Sequence, residues 1–443
     1  MGDRMSNGDR DERVTANAEP YIAWGDSEAS KVDRLRRRAH VAADDRLARF
    51  SCRDGHLVSL LRDGPETYDA MLGAFADATL AINLMSYAFA EGHSANRIAE
   101  GLIAARRRGV TVRVLYDWVG SSDCPSTYFK TLRGEGILTR PVRPPHHGLW
   151  RGFSAVNRRN HRKLATIDGR VGFVGGVNIT QSYRRHSRVL RRRAAPAEPR
   201  FADDAWRDTH VEMQGPVVAD LDTIFFEDWR ECGDDPDLPT IDSVTGPWNA
   251  PSPVDIEMRG NASVRVTTTS SPEDLFNEPF ALYAHALRHA RRTVQITHSY
   301  FAPPRWLLRE VCRAAARGVD VQLIVPGRSD NPLAFHASRT NYGQLLRSDV
   351  RVFEMQECFL HAKTMVVDGW WSIVGSANLD MRSWLHNDET CVVIYDEDFG
   401  GRMQRQFAAD LAASQELSRR RWRRRGVRER LKEHATRPIY RWL

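Results

Sequence analysis

Residues 78–90 (ATLAINLMSYAFA) align with residues 291–303 (RRTVQITHSYFAP), and four more paired segments follow in the same order. AARRRGVTVRVLYD (104–117) aligns with RAAARGVDVQLIVP (313–326). SSDCPSTYFKTL (121–132) aligns loosely with RSDNPLAFHASRTNYGQLL (328–346). NHRKLATIDGRVGFVGGVN (160–178) aligns with LHAKTMVVDGWWSIVGSAN (360–378), and DTHVEMQGP (208–216) aligns with ETCVVIYDE (389–397). Two generic strand–helix–strand units can resemble each other by chance, but the spacing here rules that out. His161 to Asn178 and His361 to Asn378 are both 17 residues, with Lys at +2, Asp at +7 and Gly at +8 in each copy. Such a chain is a duplicated unit, and each copy must fold the same way.

Each half reads strand, helix, strand, short helix, strand, strand. The first helix of each half ends at Gly109 or Gly318, where a C′ residue precedes a β-branched run. Strands alternating with helices indicate an α/β layered fold. The stretch 231–260 is rich in Pro, Asp and Gly and reads as a linker. The expected organisation is therefore a polar N-terminal extension (1–56, with one helix near 30–50), a first half (57–230), the linker (231–260), a second half (261–410) and a basic, aromatic C-terminal tail (411–443). A chain of 443 residues can bury a core of that size.

The chemistry lies in the repeat. HRKLATID and HAKTMVVD are apolar, β-branched segments in which His161 and Lys163, or His361 and Lys363, stand two apart. On a strand they project to one side. The strand after each ends in small residues and an Asn: Gly176 and Asn178 in one copy, Ser376 and Asn378 in the other. Small residues let a ligand approach the backbone, and the Asn amide can donate to a phosphate oxygen. Two His, two Lys and two Asn in one pocket suit a phosphodiester. The Lys and Asn residues would stabilise charge on the non-bridging oxygens. One imidazole would attack phosphorus, and the other would protonate the departing alcohol and deprotonate the incoming one. No metal or cofactor is called for, because lysine supplies the positive charge. A nucleophilic His needs a carboxylate on its other ring nitrogen. The repeat offers Asp208 and Glu389, each expected to orient the His of its own half. Asp168 and Asp368 fall on the opposite strand face by odd spacing and are expected to tie down the turns before Gly169 and Gly369.

At these residues the sequence resembles the phospholipase D superfamily, whose signature is a duplicated H-x-K-(x)4-D. Within it, NHRKLATIDGRVGFVGGVNIT and FLHAKTMVVDGWWSIVGSANLDMRSWLHNDE are most similar to bacterial cardiolipin synthases. The resemblance spans roughly residues 57–410. It implies a duplicated phospholipase D fold with two βαβ-type halves, each a mixed sheet flanked by helices, around one shared active site. It implies His161, Lys163, Asn178, His361, Lys363 and Asn378 as catalytic residues, with Asp208 and Glu389 as orienting acids and His161 as the nucleophile. The implied reaction is transfer of a phosphatidyl group to phosphatidylglycerol, giving cardiolipin. Phosphatidylethanolamine is a further possible donor. Attack by water instead would make the protein a phospholipase D-type hydrolase. A nuclease and a non-catalytic lipid-binding protein are more distant alternatives. The chain departs from its relatives in three places. It lacks the two transmembrane helices that open many cardiolipin synthases and so resembles the shorter, peripheral type. It reads Asn387-Asp388-Glu389 where Asn-Phe-Glu is common, and it carries an Arg-rich insertion at 183–200.

The net charge of +7 is unevenly spread. Residues 419–443 hold 11 Arg or Lys against 2 Glu, which leaves 53 basic against 55 acidic residues in the body. Arginines interleaved with Trp422, Ile439, Tyr440 and Trp442 suit an anionic membrane surface, preferred here over nucleic acid because the body resembles lipid enzymes. With no apolar leader and no run of roughly 18 apolar residues, the expected location is the cytoplasmic side of the membrane, held peripherally. Six scattered cysteines, none in a C-x-x-C pair, fit a reducing compartment. Cys358 reads as a packing residue. His298 and His146-His147 read as structural.

Overall fold

The computed structural model describes residues 28–144, 157–184, 206–232, 258–269, 277–329, 331–436 and 440. The linker segment 233–257, most of the Arg-rich insertion, His146-His147, Ile439 and Trp442 lie outside the described residues. The chain divides into Met1–Ala43 and Asp44–Leu443. The first contains most of one helix, Glu28–Asp44, near the expected place.

Within Asp44–Leu443, the first half comprises β1 (Arg53–Arg62), β2 (Ala81–Ser86), β3 (Thr111–Asp117), β4 (Leu138–Val142), β5 (Arg159–Asn160), β6 (Leu164–Ile167), β7 (Val171–Gly175) and β8 (Thr209–Gln214). The second comprises β9 (Ala262–Thr268), β10 (Thr293–His298), β11 (Phe301–Ala302), β12 (Asp320–Pro326), β13 (Arg351–Met355), β14 (Lys363–Val367), β15 (Trp371–Gly375), β16 (Leu379–Asp380), β17 (Asn387–Asp388), β18 (Thr390–Tyr395) and β19 (Ser414–Glu416). β1 begins four residues before the boundary expected at 57.

Fifteen strands form one sheet in the order β19-β13-β12-β10-β14-β15-β18-β9-β1-β8-β7-β6-β2-β3-β4. Without β19 the order reads the same from either end once equivalent strands are exchanged. β9 and β1 are therefore the seam, and they pair antiparallel. In each half three strands run parallel (β2, β3, β4 and β10, β12, β13), and the others add antiparallel. The sheet is mixed, as expected.

The parallel strands are largely buried; AINLMS of β2 is buried throughout, its Asn83 amide donating to Thr166 and Asp222. One core cluster packs the helices Asp63–Asp77, His93–Arg107 and Ser126–Gly134 on one face of the first half, through Phe75, Ile98, Leu102 and Phe129. On the other face a cluster gathers Leu221 and Phe225 from the helix Val218–Glu231 with Val264, Val374 and Val392, and with Phe399 and Met403 from Glu397–Ala412. This second cluster crosses the seam, so the halves share one hydrophobic core.

The tail is folded where described. Helices Arg419–Arg423 and Val427–Thr436 pack on the second half. Trp422, expected to face a membrane, is instead buried. It packs on Tyr342 with ring centroids 5.6 Å apart, and Arg425 stacks on it at 3.8 Å. The ring is held there by aromatic packing and by the guanidinium over its face.

Candidate active site

Two short pairings between the halves bring the motifs together. β17 lies parallel to β5, with Asp388 opposite Asn160, and the His161 N–H donates to Asp388 O at 2.9 Å. On the other side Arg207 bridges Leu360 in parallel, and the His361 N–H donates to Arg207 O at 2.8 Å. Each histidine is thus bonded to the residue that precedes the other half's acid.

The acids therefore cross over. Glu389 places both carboxylate oxygens 2.9 and 3.0 Å from His161 Nδ1. Asp208 Oδ2 lies 2.7 Å from His361 Nδ1. This corrects the expectation that each acid orients the histidine of its own half. The repeat displays only what is similar within each half; the parallel pairing between halves decides which imidazole an acid meets.

The equivalent side chains are buried to matching degrees. Each His is 8% exposed, each motif Lys 1%, each motif Asn 6% and each acid 0%. Lys163 Nζ donates to His161 O at 2.7 Å, and Lys363 Nζ donates to His361 O. Asn178 Oδ1 accepts from the Ala88 N–H at 3.3 Å, and Asn378 Oδ1 accepts from the Ser299 hydroxyl at 2.8 Å. These bonds aim the amides while their donor ends can still serve a ligand.

Electrostatics ties the two histidines and two lysines into one site. Burial pushes His161 down to about 4; Glu389 opposes this, and both Lys163 and Lys363 add to it. His361 is lowered by burial and by Lys363, against the pull of Asp208, and Lys163 lowers it further. The lysine of each half thus acts on the histidine of the other. Burial also drives Lys163 down to about 7, against Glu389 and with Lys363. Burial pushes the Glu389 carboxyl up, but His161, Lys163 and Ser376 outweigh it and hold the group below its ordinary value. For Asp208, burial is likewise outweighed by Lys363, His361 and the Thr209 N–H. At neutral pH this gives ionised acids and neutral imidazoles, each with Nδ1–H assigned to its carboxylate, and Lys363 Nζ lies 2.8 Å from that nitrogen of His361. The Nε2 lone pair is then free to act.

Asp168 and Asp368 hold turns. Both have φ of +53°. The Asp168 carboxylate accepts from the backbone N–H groups of Thr79, Leu80 and Ala81 at 2.8–2.9 Å. Asp368 accepts from those of Arg291, Arg292 and Thr293 at 2.7–3.0 Å. Each anchors the start of the parallel strand beside its motif. Ser376 Oγ donates to Glu389 Oε2 at 2.6 Å.

Sequence reasoning missed several neighbours. The Tyr87 ring meets His161 edge-on at 4.8 Å and lies 5.2 Å from Lys163 Nζ. Trp206 lies 5.0 Å from the His361 ring. Tyr183 Oη lies 2.8 Å from His361 Nδ1, and Ser383 Oγ donates to Glu389 Oε1 at 2.7 Å. The last two stand at one repeat position, five residues after the motif Asn, so a hydroxyl at matching offsets was a usable signal. Two expectations sit outside the site. His298 is fully buried, accepts from the Leu379 N–H at Nδ1 and meets Tyr283 at Nε2. Cys358 is buried in a core cluster.

Beside the helix that carries Ser383 lies a cavity of about 990 Å³, lined by Arg305, Trp306, Leu308, Arg309, Trp384 and Tyr440 among others. Trp306 and Trp384 meet edge-on at 6.2 Å, and neither arginine has an ion-pair partner among the described residues.

The family model described as cardiolipin synthase, phospholipase D-like domain, matches residues 71–188 and 283–411, one stretch in each half. A cardiolipin synthase of Oceanobacillus iheyensis is 31% identical over 382 residues, which is 86% of this chain and 74% of the relative. Cardiolipin synthase A of Pseudomonas fluorescens is 31% identical over 385 residues, with the same two coverages. Among solved structures, a phosphatidylserine synthase of Haemophilus influenzae covers 91% of this chain and all of its own with a TM-score of 0.64 at 14% identity, which establishes a common fold.

Proposed function

The chain belongs to the cardiolipin synthase family of phospholipase D-like enzymes, phosphatidyltransferases acting on phospholipids, and we propose that it makes cardiolipin by two displacements at one phosphorus atom. The observation that carries the mechanism is the pair of buried imidazoles. Each has a carboxylate on Nδ1, and the lysine of either half acts on both.

In the first step His161 Nε2 attacks the phosphorus of a donor phospholipid. The bond from phosphorus to the headgroup oxygen breaks, and that oxygen takes the proton on His361 Nε2. The phosphodiester's own negative charge, beside His361, raises that imidazole toward the protonated form this step needs. Lys163, Lys363, Asn178 and Asn378 face the non-bridging oxygens, where charge grows in the transition state. In the second step neutral His361 takes the proton of a glycerol hydroxyl of phosphatidylglycerol. The oxygen attacks phosphorus, the P–N bond breaks, and His161 is released. Two inversions retain configuration. The phosphatidyl donor is phosphatidylglycerol, with phosphatidylethanolamine as a second candidate.

No helix among the described residues is long and apolar enough to cross a membrane. The exposed Arg420, Arg421, Arg423 and Arg424 suit an anionic lipid surface, at about 1 kcal/mol for each residue brought close. The cavity with Trp306, Trp384, Arg305 and Arg309 suits an amphiphile with a phosphate.

The test is to incubate the protein with labelled phosphatidylglycerol, with and without phosphatidylethanolamine, and with single-stranded DNA. Labelled cardiolipin is expected. Phosphatidic acid as the sole product would make the protein a hydrolase, and cut DNA with untouched lipid would overturn the reading. His161→Ala abolishes turnover. His361→Ala accumulates an acid-labile phosphohistidine when the donor carries a leaving group that needs no proton.

A further inference from the structure

We infer that Tyr183 and Ser383, which occupy one repeat position, are positioning residues that each set the proton affinity of the histidine in the opposite half. This rests on the two-histidine reading above.

Tyr183 is fully buried at the end of a 3-10 turn, Gln181–Tyr183. Its hydroxyl lies 2.8 Å from His361 Nδ1, within electrostatic reach of the Asp208 carboxylate. Burial and the neighbouring Asp208 keep the phenol protonated. The protonated phenol is therefore a donor at the Asp208–His361 pair. Tyr183, five residues after the motif Asn of one half, thus reaches the acid and histidine that act together across the seam.

Ser383 is also fully buried. Its hydroxyl donates to Glu389 Oε1 at 2.7 Å and accepts from the Asn378 N–H at 3.1 Å. As with Tyr183, a hydroxyl five residues after the motif Asn stands at an orienting acid. Glu389 in turn holds His161.

A hydroxyl that donates to a carboxylate stabilises its charge and weakens its hold on an imidazole Nδ1–H. The hydroxyl therefore opposes a second proton on the ring. Lys363 Nζ, 2.8 Å from His361 Nδ1, also opposes a second proton there, equally in the wild type and in a Tyr183 variant. Removing the hydroxyl must therefore raise the proton affinity of the histidine it serves. In Tyr183→Phe that histidine is His361; in Ser383→Ala it is His161.

The two half-reactions separate these effects. Phosphoenzyme formation from a phosphatidyl donor with a nitrophenol leaving group needs neutral His161 but no acid. Transfer from the phosphoenzyme to phosphatidylglycerol needs neutral His361. The acidic limb of kcat/KM is measured for each step in the wild type and both variants. In Tyr183→Phe the acceptor limb moves up by half a pH unit or more, and the donor limb stays. In Ser383→Ala the donor limb moves up, and the acceptor limb stays. A loss of rate with neither limb moved, or with both moved together in each variant, would overturn the inference and leave a packing role. Ser383→Thr, which restores a hydroxyl, returns the donor limb; failure to do so counts against it as well. Crossed shifts in the reverse order would support the positioning claim and transfer the nucleophile role to His361. Absence of any phosphoenzyme in the wild type would sink the two-histidine reading itself.

Discussion

The two halves share strand order and motif geometry, yet they hold their acids by different means. Asp208, the shorter acid, sits against Gly176, where an added Cβ would lie 2.1 Å from its Oδ1. The hydroxyl beside it, at the histidine it holds, is that of the large Tyr183. Glu389, the longer acid, has Ser376 at the equivalent place and Ser383 in the tyrosine's position, and Asn387 Nδ2 donates to its Oε1 at 3.2 Å. A short acid with a large hydroxyl and a long acid with small ones fill similar space. The comparison teaches that geometry at the histidines is what both halves preserve, while the number of donors on each carboxylate differs.

The residues before the acids differ even in sign. Arg207 is fully buried and bonds Asp410 of the second half at 2.8 and 2.9 Å; it also meets Asp63. Its equivalent, Asp388, pairs with Arg158 and Arg143 of the first half, and those arginine side chains are 22% and 17% exposed. Arg207→Ala strands two buried carboxylates and is expected to cost about 3–5 kcal/mol, read as a fall in the denaturation midpoint. Asp388→Asn leaves Arg158 able to reach water and keeps an acceptor oxygen for the more buried Arg143, and is expected to cost about 1–2 kcal/mol. Equal losses would mean that the seam does not distinguish the two sides.

The acid pockets give the next largest effect. Gly176→Ser drives a side chain into Asp208 and misplaces His361, so kcat should fall on the order of 10²–10⁴-fold. Ser376→Gly removes one donor from a carboxylate that keeps Ser383, Asn387 and His161, and should cost about tenfold. If the two variants lose activity equally, the pockets are not built on the different principles described.

How much of this was legible beforehand follows from the range of each interaction. His161-x-Lys163 and His361-x-Lys363 are local, and strand alternation alone places both side chains together. Asp208 and Glu389 could be found because the repeat marks equivalent positions. Their crossing could not, because it arises from β5 with β17 and Arg207 with Leu360, pairings between segments that share no pattern. Tyr183 was hidden because its counterpart is a serine, and a search for identical residues passes over a shared hydroxyl. Trp422 was misread because a Trp among arginines looks the same in sequence whether its ring meets lipid or Tyr342.

Lys163 supplies a prediction in pH. Burial lowers it to about 7, so in the empty site its ammonium is lost as pH rises through that value. A phosphate-binding lysine must be charged, so kcat/KM, which reports the free enzyme, should fall about tenfold per unit above roughly pH 7. Lys163→Arg stays charged at any working pH and should flatten that limb, at a lower plateau because the guanidinium is larger. An unchanged limb in Lys163→Arg would assign the titration to another group.

The smallest expected difference is at Asp168 and Asp368, where the halves are built alike. Each carboxylate accepts three backbone N–H bonds, and each residue has φ of +53°, which Asn also tolerates. Asp→Asn keeps one acceptor oxygen and loses the charge on both, so some donors are left with weaker partners. Each single variant should cost about 1–2 kcal/mol. The two costs should agree within about 0.5 kcal/mol and add in the double variant, because the sites share no partners. The readout is the denaturation midpoint, with the shape of the pH–activity profile unchanged. A large gap between the two would show that the asymmetry of the acid pockets reaches the turns that carry the motifs. Agreement would confine it to the carboxylates, the hydroxyls and the histidines they serve.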